Sequence, residues 1–272
     1  MSRFCVVLAE QPHRQCFAEV VTMLLWGLRE LAHEVEVSTV QRPGARNIIL
    51  APHLLLASEE HPHIDAGTIV YNFEPYCSPL FVRSLRLLGH PHAQAWDFHP
   101  VTTKYLAELG IAAKTVPFAW CPPHAREHRA NVARDIDVLF MGSLSPRRVD
   151  VLNKLLRVPE LVTTRALFGV YGAERDQALA RSKVCLNLHY WDEWGCEDLR
   201  LHFAAAHGVA NVSEGAPDEP RKRAWASWVP YDELGAECIR LVQSGAWVAQ
   251  ATEGRAACQQ IDAATVLAEA LR

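Results

Sequence analysis

The sequence predicts an α/β protein made of two Rossmann-like, doubly wound domains that face each other across a cleft. Short apolar runs alternate with helical stretches along nearly all of the 272 residues. Within most runs the apolar residues are continuous, which is typical of parallel strands covered by helices on both faces. One charged segment with two prolines, CPPHAREHRANVARD at 121–135, interrupts the series and favours a division into two domains.

The domain boundaries follow from that interruption. We expect an N-terminal domain over 1–121, a linker over 122–134 and a C-terminal domain over 135–272. The tail DAATVLAEALR at 262–272 has helical spacing. We assign it to the C-terminal domain, with packing back on the N-terminal domain as the alternative. Ligands of such sheets bind beyond the carboxyl ends of the strands, and between two such domains they bind in the cleft.

The elements of each domain are read from apolar spacing. In the N-terminal domain we expect strands at 4–10, 34–40, 47–51, 68–74, 93–98 and 114–120, with helices at 16–32 and 101–111. In the C-terminal domain we expect strands at 137–143, 164–172, 183–190, 209–214 and 227–231, with helices at 147–156, 174–182, 197–207 and 262–272.

Composition excludes several classes of protein. The formal net charge of -4 gives no basic footprint for nucleic acid. The apolar runs are too short for a transmembrane segment, and MSRFCVVLAEQP at 1–12 is typical of a first strand rather than a signal peptide. The eight cysteines form no CxxC pair, which favours reduced thiols in a cytoplasmic protein.

A phosphate site is indicated where the C-terminal domain begins. In DVLFMGSLSPRR a strand ends at Gly142 and Ser143, and Arg147 and Arg148 follow at a helix start. Glycine lets an anion approach the backbone, the helix N-terminus offers N–H groups, and arginine supplies charge. The alternative is a plain turn with a serine cap and a solvated arginine pair.

Further polar residues follow the next strands of this domain. Tyr171, in FGVYG, is a candidate to lie beside a base or ribose, with a plain turn as the alternative. Asn187 and His189 end the strand of KVCLNLHYWD, where they could donate to phosphate or sugar or play a structural part. Glu197 and Arg200 are three residues apart at the next helix start, so they could also be a simple intrahelical pair.

A metal site is the alternative for the same stretch. His189, Cys196 and His202 do not form a recognised ligand spacing, whereas structural zinc needs four suitably spaced ligands and catalytic zinc usually three. We therefore expect no metal.

Candidate general bases follow the strands of the N-terminal domain. A general base has to lie at the reacting group, and three strand ends carry acidic residues. A loop or helix cap is the alternative for each, and for Asp97 in particular a cap of the following helix. The candidates are catalytic Glu74, Asp97 and Glu10, with Asn72 and His13 on the acceptor side.

The combined motifs resemble bacterial glycosyltransferases of GT-B architecture. The resemblance is carried by IVYNFEPY, AWDFHPVTTKYLAELGI and VPFAW, then by DVLFMGSLSPRR, YGAERDQALARSKVCLNLHYWD, CEDLRLHFAAAHGVANVSE and VPYDEL in the same order. It covers about residues 68 to 240.

The resemblance implies a metal-independent enzyme that transfers a hexosyl or related group from a nucleoside-diphosphate sugar. The C-terminal domain would hold the donor through Gly142, Ser143, Arg147 or Arg148, Tyr171, Asn187, His189, Glu197 and Arg200. The N-terminal domain would receive the acceptor, which could be a glycan, a peptide or protein, or a small molecule. No cofactor is implied besides the sugar nucleotide.

One position departs from the family pattern. Many retaining members carry a ribose-binding glutamate in a stretch like RLFEALACG, where this chain reads RLHFAAAHG, with Phe203 in that place. Retaining and inverting chemistry both stay open. So do a nucleotide-sugar epimerase or hydrolase, and a protein of the same fold that binds a sugar nucleotide or a partner without chemistry.

Overall fold

The computed structural model describes residues 1–12, 14–58, 62–125, 132–158, 163–190, 197–217 and 220–272. The chain divides into two compact units. Unit 1 comprises 1–121 together with 262–272, and unit 2 comprises 122–261. Each unit is built around its own parallel sheet.

In the described part of unit 1 the sheet has six strands in the order β2-β1-β3-β4-β5-β6. All neighbouring strands run parallel. The order reverses beside β1, because β2 lies on one side of it and β3 on the other. The strands are β1 Arg3–Val7, β2 Glu34–Ser38, β3 Arg46–Leu50, β4 Thr68–Asn72, β5 Ala93–Asp97 and β6 Ala113–Thr115.

The last helix of the chain belongs to unit 1. It packs on the first helix at Gly27, where an added Cβ would lie 2.6 Å from Leu267 Cδ1 and 3.0 Å from the carbonyl oxygen of Ala263. The Lys114 ammonium donates a hydrogen bond of 2.8 Å to the carbonyl oxygen of Ala270 at its end. The helices are α1 Ala18–Glu30, α2 Pro52–Ser58, α3 Pro79–Leu88, α4 Pro100–Glu108 and, at the C-terminus, α10 Ala263–Leu271.

Unit 2 holds a parallel sheet with the order β11-β10-β9-β7-β8 among its described strands. The strands are β7 Ile136–Met141, β8 Thr164–Leu167, β9 Ser182–Asn187, β10 Ala210–Glu214 and β11 Ser227–Val229. The helices are α5 Pro146–Leu155, α6 Gly172–Ala180, α7 Asp198–Ala206, α8 Leu234–Ser244 and α9 Trp247–Gln259.

Strand β7, which lies between β9 and β8, contributes to apolar clusters on both faces of this sheet. Val138 and Phe140 pack in a cluster with residues of α5 and α8. Leu139 and Met141 pack in another with residues of α6 and α7. Because successive side chains of a strand point to opposite faces, helices cover both faces of the sheet. The predicted α/β fold with doubly wound parallel sheets is confirmed.

The structure also corrects individual elements. The strand expected at 114–120 ends at Thr115, and the expected strand 164–172 ends at Leu167. Helices α2, α3, α8 and α9 were not predicted. Helix α3 had recognisable signals, since Ser78 caps it by accepting from the Leu80 N–H and proline follows at the first turn.

Candidate functional site

Polar residues of unit 2 gather where the order of its sheet reverses. The chain passes from β7 to β8 on one side and then to β9 on the other. In open parallel sheets, ligands bind beyond the carboxyl ends of the strands at such a switch point. Strand β7 ends at Met141, β9 at Asn187 and β10 at Glu214. The residues after these ends form what we call the unit 2 cluster, defined by Gly142, Ser143, Arg147, Arg148, Asn187, His189, Glu197, Arg200 and Glu214.

Gly142 and Arg200 meet closely in this cluster. Gly142 has φ +146°, and an added Cβ would lie 3.0 Å from Arg200 Nη2. Arg200 Nη1 donates to Asn187 Oδ1 at 2.5 Å, whereas Arg200 Nη2 has no hydrogen-bond partner within the described ranges. The N–H groups of Ser143 and Leu144 likewise donate no backbone hydrogen bond there. Three hydrogen-bond donor groups, one guanidinium nitrogen and two backbone N–H groups, are thus available to an anion.

Arg148 organises the cluster from inside. Its side chain is 2% exposed, and its guanidinium donates to the carbonyl oxygens of Leu188 and Ser143 and to Glu197 Oε1. Burial, with the nearby charge of Arg200, lowers the pKa of Arg148 to about 10, so it stays charged at neutral pH. The sequence proposed Arg148 as a direct phosphate ligand. In the described structure its enclosed guanidinium contacts Glu197 and the carbonyl oxygen of Leu188 just after β9.

Arg147 is held by an acid that sequence reasoning missed. Its guanidinium donates to Glu214 Oε2 at 2.7 Å and to Oε1 at 2.5 Å, and it lies 4.4 Å from the ring of Tyr231. Tyr231 in turn donates to the carbonyl oxygen of Arg147. Burial alone would raise the pKa of Glu214, but the hydrogen bonds from Arg147 and the nearness of His189 lower it. Glu214 is therefore ionised.

His189 lies between two carboxylates. Its Nε2 is 3.8 Å from Glu197 Oε2 and its Nδ1 is 4.0 Å from Glu214 Oε2. The His189 backbone N–H donates to Glu214. Nε2 is buried without a hydrogen-bond partner among the described residues, and a buried polar atom of this kind calls for a partner such as a water molecule or a ligand group.

The residues that the sequence predicts for the sugar-nucleotide site thus lie together, with one exception. Tyr171 precedes α6, after β8, on the side of β7 away from β9. Two residues of the site, Glu214 and Tyr231, were missed as candidates. Glu214 ends a predicted strand, so its position at a strand end was the signal that could have found it.

Of the two acids that follow β4 and end β5, Asp97 is enclosed and Glu74 is partly exposed. Asp97 has 0% exposure and accepts from Asn72 Nδ2 at 2.7 Å and from the His99 N–H at 2.8 Å. Burial raises the pKa of Asp97 to about 8. Asn72 in turn donates to the carbonyl oxygen of Glu74. Asp97 therefore orders the end of β4, and Glu74 is the more exposed acid.

Two further expectations of unit 1 change. The α4 helix is capped by His99, whose side chain accepts from the Val101 N–H, and not by Asp97. Glu10 is an exposed ion-pair partner of Arg14, with 71% of its side chain accessible. His13 lies outside the described residues. Glu10 therefore has the environment of a solvated surface carboxylate, with no contact to Glu74 or Asp97 in the described structure.

Phe203 has a packing role. It is 6% exposed and belongs to an apolar cluster between β7 and α7. The Arg175 guanidinium carbon lies 4.0 Å from its ring centroid, and the ring of His207 lies at 4.3 Å. Phe203 is therefore part of the core of unit 2.

Within the described ranges, no group of three or more His, Cys, Asp or Glu side chains could hold a metal ion. Cys196, a member of the metal alternative, lies outside those ranges. Of the helices that the structure describes, none has both the length and the apolar character to cross a bilayer.

No protein-family model matches the chain. An uncharacterized protein of Acanthamoeba polyphaga mimivirus is 31% identical over 122 residues, which cover 42% of this chain and 13% of the relative. The chain thus matches a small part of that relative's length.

Solved structures give a match over the whole chain. AviGT4, a glycosyltransferase involved in avilamycin A biosynthesis, superposes with a TM-score of 0.57 at 16% identity and covers 100% of this chain and 96% of its own. This chain has the AviGT4 fold. The GT-B-type fold implied by the sequence is therefore confirmed.

A second solved structure matches less of the chain. It is a mutant of S. aureus TarM in complex with Fondaparinux, alpha-GlcNAc-glycerol and UDP. Its TM-score is 0.48 at 11% identity, and the match covers 76% of this chain and 55% of TarM. The fold assignment rests on AviGT4.

Proposed function

We propose that the protein is a glycosyltransferase whose unit 2 cluster binds the diphosphate of a nucleoside-diphosphate sugar. The observation that carries this proposal is the open guanidinium edge of Arg200 beside Gly142, at the switch point of a parallel sheet. A guanidinium edge beside unbonded backbone N–H groups is a chemical match for phosphate oxygens.

Local charge supports an anionic ligand. Arg147, Arg148 and Arg200 carry three positive charges against the two carboxylates of Glu197 and Glu214, so the described cluster has a net charge of about +1 before His189 is counted. Both carboxylates are paired with arginine. These pairs hold the two carboxylates away from the phosphate oxygens of the ligand, or leave them to bind the hydroxyl groups of its sugar.

Each residue of the cluster has a role in this proposal. Arg200 binds the diphosphate with the Ser143 and Leu144 N–H groups and the N-terminus of α5. His189, with its open Nε2, donates to a phosphate or sugar oxygen. Arg148 and Asn187 position Glu197 and Arg200. Positive donors that are fixed before binding stabilise the charge that develops on the leaving diphosphate, so the proposed enzyme needs no metal.

Two further parts of the proposal concern the ligands. Tyr171 is proposed to lie near the nucleobase, and unit 1 is proposed to bind the acceptor, with Glu74 taking the acceptor proton if the reaction inverts. The epimerase or hydrolase and the binding protein would share this fold, so turnover with and without an acceptor has to separate them from the transferase.

The first experiment measures nucleotide binding. Thermal shift and calorimetry with UDP, GDP, dTDP, CMP and NAD should show one nucleoside diphosphate that raises Tm, equally with and without EDTA. Arg200→Met should raise its Kd by about 10- to 100-fold, because a hydrogen bond to a charged group contributes about 1.5–3 kcal/mol. Arg240→Met is the control, since Arg240 is an exposed residue of α8 paired with Glu237.

The outcomes separate the alternatives. No Tm rise with any nucleotide, or an Arg200→Met protein that binds as the wild type does, would overturn the donor site. A Tm that falls on chelation would point to a metal. Turnover of the bound sugar nucleotide without an acceptor would identify a hydrolase, and binding without turnover across acceptors would identify a binding protein.

A further inference from the structure

A second polar cluster lies at the carboxyl edge of the unit 1 sheet. It follows β3 and β4, which are neighbours, next to the reversal beside β1. Ala51 directly after β3 has φ +52°, a left-handed conformation that costs a non-glycine residue about 1–2 kcal/mol. Such conformations persist where the surrounding structure enforces them, often at functional sites. Here Ala51 leads directly into α2, whose second residue is His53.

His53 is the buried member of this cluster. Its side chain is 6% exposed, Nδ1 is enclosed without a hydrogen-bond partner among the described residues, and Nε2 lies 3.8 Å from Glu74 Oε1. A buried N–H without a partner is rarer in proteins than a buried acceptor without one. The favoured tautomer therefore carries its proton on Nε2, directed towards Glu74.

Glu74 presents one oxygen to this histidine. Its other oxygen, Oε2, accepts from the Ser78 hydroxyl at 2.9 Å, which fixes the carboxyl group at the start of α3. The gap of 3.8 Å between Nε2 and Oε1 is too long for a direct hydrogen bond. A single oxygen atom at about 2.8 Å from each would bridge it.

The imidazole of the pair and a nearby thiol are both uncharged at neutral pH. Burial, together with the charge of Arg83, lowers the pKa of His53 to about 4, so its imidazole is uncharged at neutral pH. Burial raises the pKa of Glu74. Burial, together with the charges of Glu74 and Glu19, raises the pKa of Cys16 to about 12, so this thiol is neutral as well.

Aromatic rings complete the surroundings. Phe17 lies 6.3 Å from the His53 ring and 6.2 Å from the ring of Phe73. Phe73 is half-buried and stacks on Phe98 at 5.3 Å. Apolar rings beside a hydrogen-bonding pair suit a ligand with both a C–H face and hydroxyl groups.

We propose that His53 and Glu74 bind a hydroxyl group of an uncharged, sugar-like acceptor between Nε2 and Oε1. The hydroxyl oxygen accepts from the His53 Nε2–H and donates to Glu74. In naming this acceptor class the inference rests on the transferase function proposed above. In the transfer step the oxygen bonds to the anomeric carbon as the bond from that carbon to the diphosphate breaks. In this proposal the reaction inverts: the diphosphate leaves with the electron pair, the hydroxyl proton passes to the Glu74 carboxylate, and His53 keeps its proton.

The binding part of the test needs no nucleotide, and only the transfer assay of Glu74→Gln uses the sugar nucleotide. Saturation-transfer NMR compares binding of neutral methyl hexosides with binding of methyl hexuronides, which carry a carboxylate. Wild-type protein should bind at least one neutral hexoside and bind the uronides about 10-fold more weakly, because an unpaired charge is repelled by Glu74. His53→Phe keeps the ring volume and removes both nitrogens, and it should weaken hexoside binding by about 5- to 50-fold.

Controls separate binding from folding. His63→Phe alters a histidine of the same unit that is 85% exposed and paired with Asp65, and it should bind hexosides as the wild type does. Should His53→Phe fail to fold, His53→Gln retains an N–H donor and should lose less affinity than a variant without one, His53→Leu. Glu74→Gln should bind within about 3-fold of wild type yet transfer sugar at least 100-fold more slowly, since it cannot accept the proton.

Three results would overturn the proposal. They are hexoside binding unchanged in His53→Phe, uronide binding as tight as hexoside binding, and wild-type transfer by Glu74→Gln. If the donor-site proposal is wrong, wild-type protein will not bind a nucleotide. That result is independent of whether the protein binds hexosides.

Discussion

Arg147 and Glu214 are joined by two parallel hydrogen bonds of 2.7 and 2.5 Å although 67 residues separate them in the chain. The pair links the first turn of α5 to the end of β10. It also holds the β9 end, because Arg147 Nη1 donates to the His189 carbonyl oxygen and the His189 N–H donates to Glu214. One ion pair therefore fixes three segments of the unit 2 cluster relative to each other.

Replacing Glu214 by glutamine should lower the free energy of unfolding by about 1–3 kcal/mol at neutral pH, because it removes a partly buried charged hydrogen bond. The pKa of Glu214 is lowered in the folded state. The contribution is therefore full above the ordinary pKa and is lost as the pH falls through the lowered value. Urea unfolding of both proteins at neutral pH and at about pH 3 measures this. If the difference in free energy of unfolding between the two proteins were the same at both pH values, the ion-pair explanation would be contradicted.

Gly142→Ala should reduce nucleotide binding more than any other positive-φ glycine substitution in unit 2. The added Cβ would press on Arg200 Nη2 at 3.0 Å, and the backbone conformation would be strained by about 1–3 kcal/mol. Gly169→Ala is the matched control, because Gly169 has φ +68° but no neighbour within 4 Å. Calorimetry with the nucleotide should show a raised Kd for Gly142→Ala only. An equal loss in both variants would mean that strain alone matters.

Asp97→Asn tests the buried carboxyl of unit 1. Because burial raises the folded pKa of Asp97 to about 8, the folded protein retains a proton that the unfolded chain releases near the ordinary value of 3.8. The stability of wild-type protein should fall as the pH rises from about 4 to about 8 through this group. The variant should lack this component, so its stability relative to wild type should improve over that range. Denaturant midpoints of both proteins between about pH 4 and about pH 8 measure this difference. If stability changed with pH equally in wild type and variant, the raised pKa of Asp97 would be contradicted.

Phe203→Leu should destabilise the protein by about 1–2 kcal/mol through lost packing against Arg175 and His207. Nucleotide affinity should not change, because Phe203 packs in the core and makes no contact with Arg200 or Glu214 in the described structure. Chemical denaturation and calorimetry measure the two quantities separately. A loss of nucleotide affinity at unchanged stability would instead indicate that Phe203 contributes to the nucleotide site.

Much of the fold could be predicted because its signals are local. Continuous apolar runs such as DVLFM, which became β7, identify strands buried on both faces. Two of the four missed helices, α3 and α8, carry a buried apolar face at helical spacing, so their signals were present in the sequence. Helix α9 shows much less of an apolar face. Helix α9 packs closely on its neighbours at Gly254, where an added Cβ would lie 3.2 Å from the carbonyl oxygen of Ala224. Because the packed residue is a glycine and not an apolar side chain, the sequence shows little apolar periodicity there.

The sequence by itself determined that two doubly wound α/β sheets form and that polar residues such as Asn187 and Glu74 follow their strands. Tertiary structure alone decided which of those residues meet. Arg148 became enclosed, Arg147 paired with Glu214, and His53, which no motif had marked, came to lie beside Glu74. The physical reason is range: strand formation depends on the spacing of nearby apolar residues, whereas side-chain pairing depends on which strands become neighbours in the sheet.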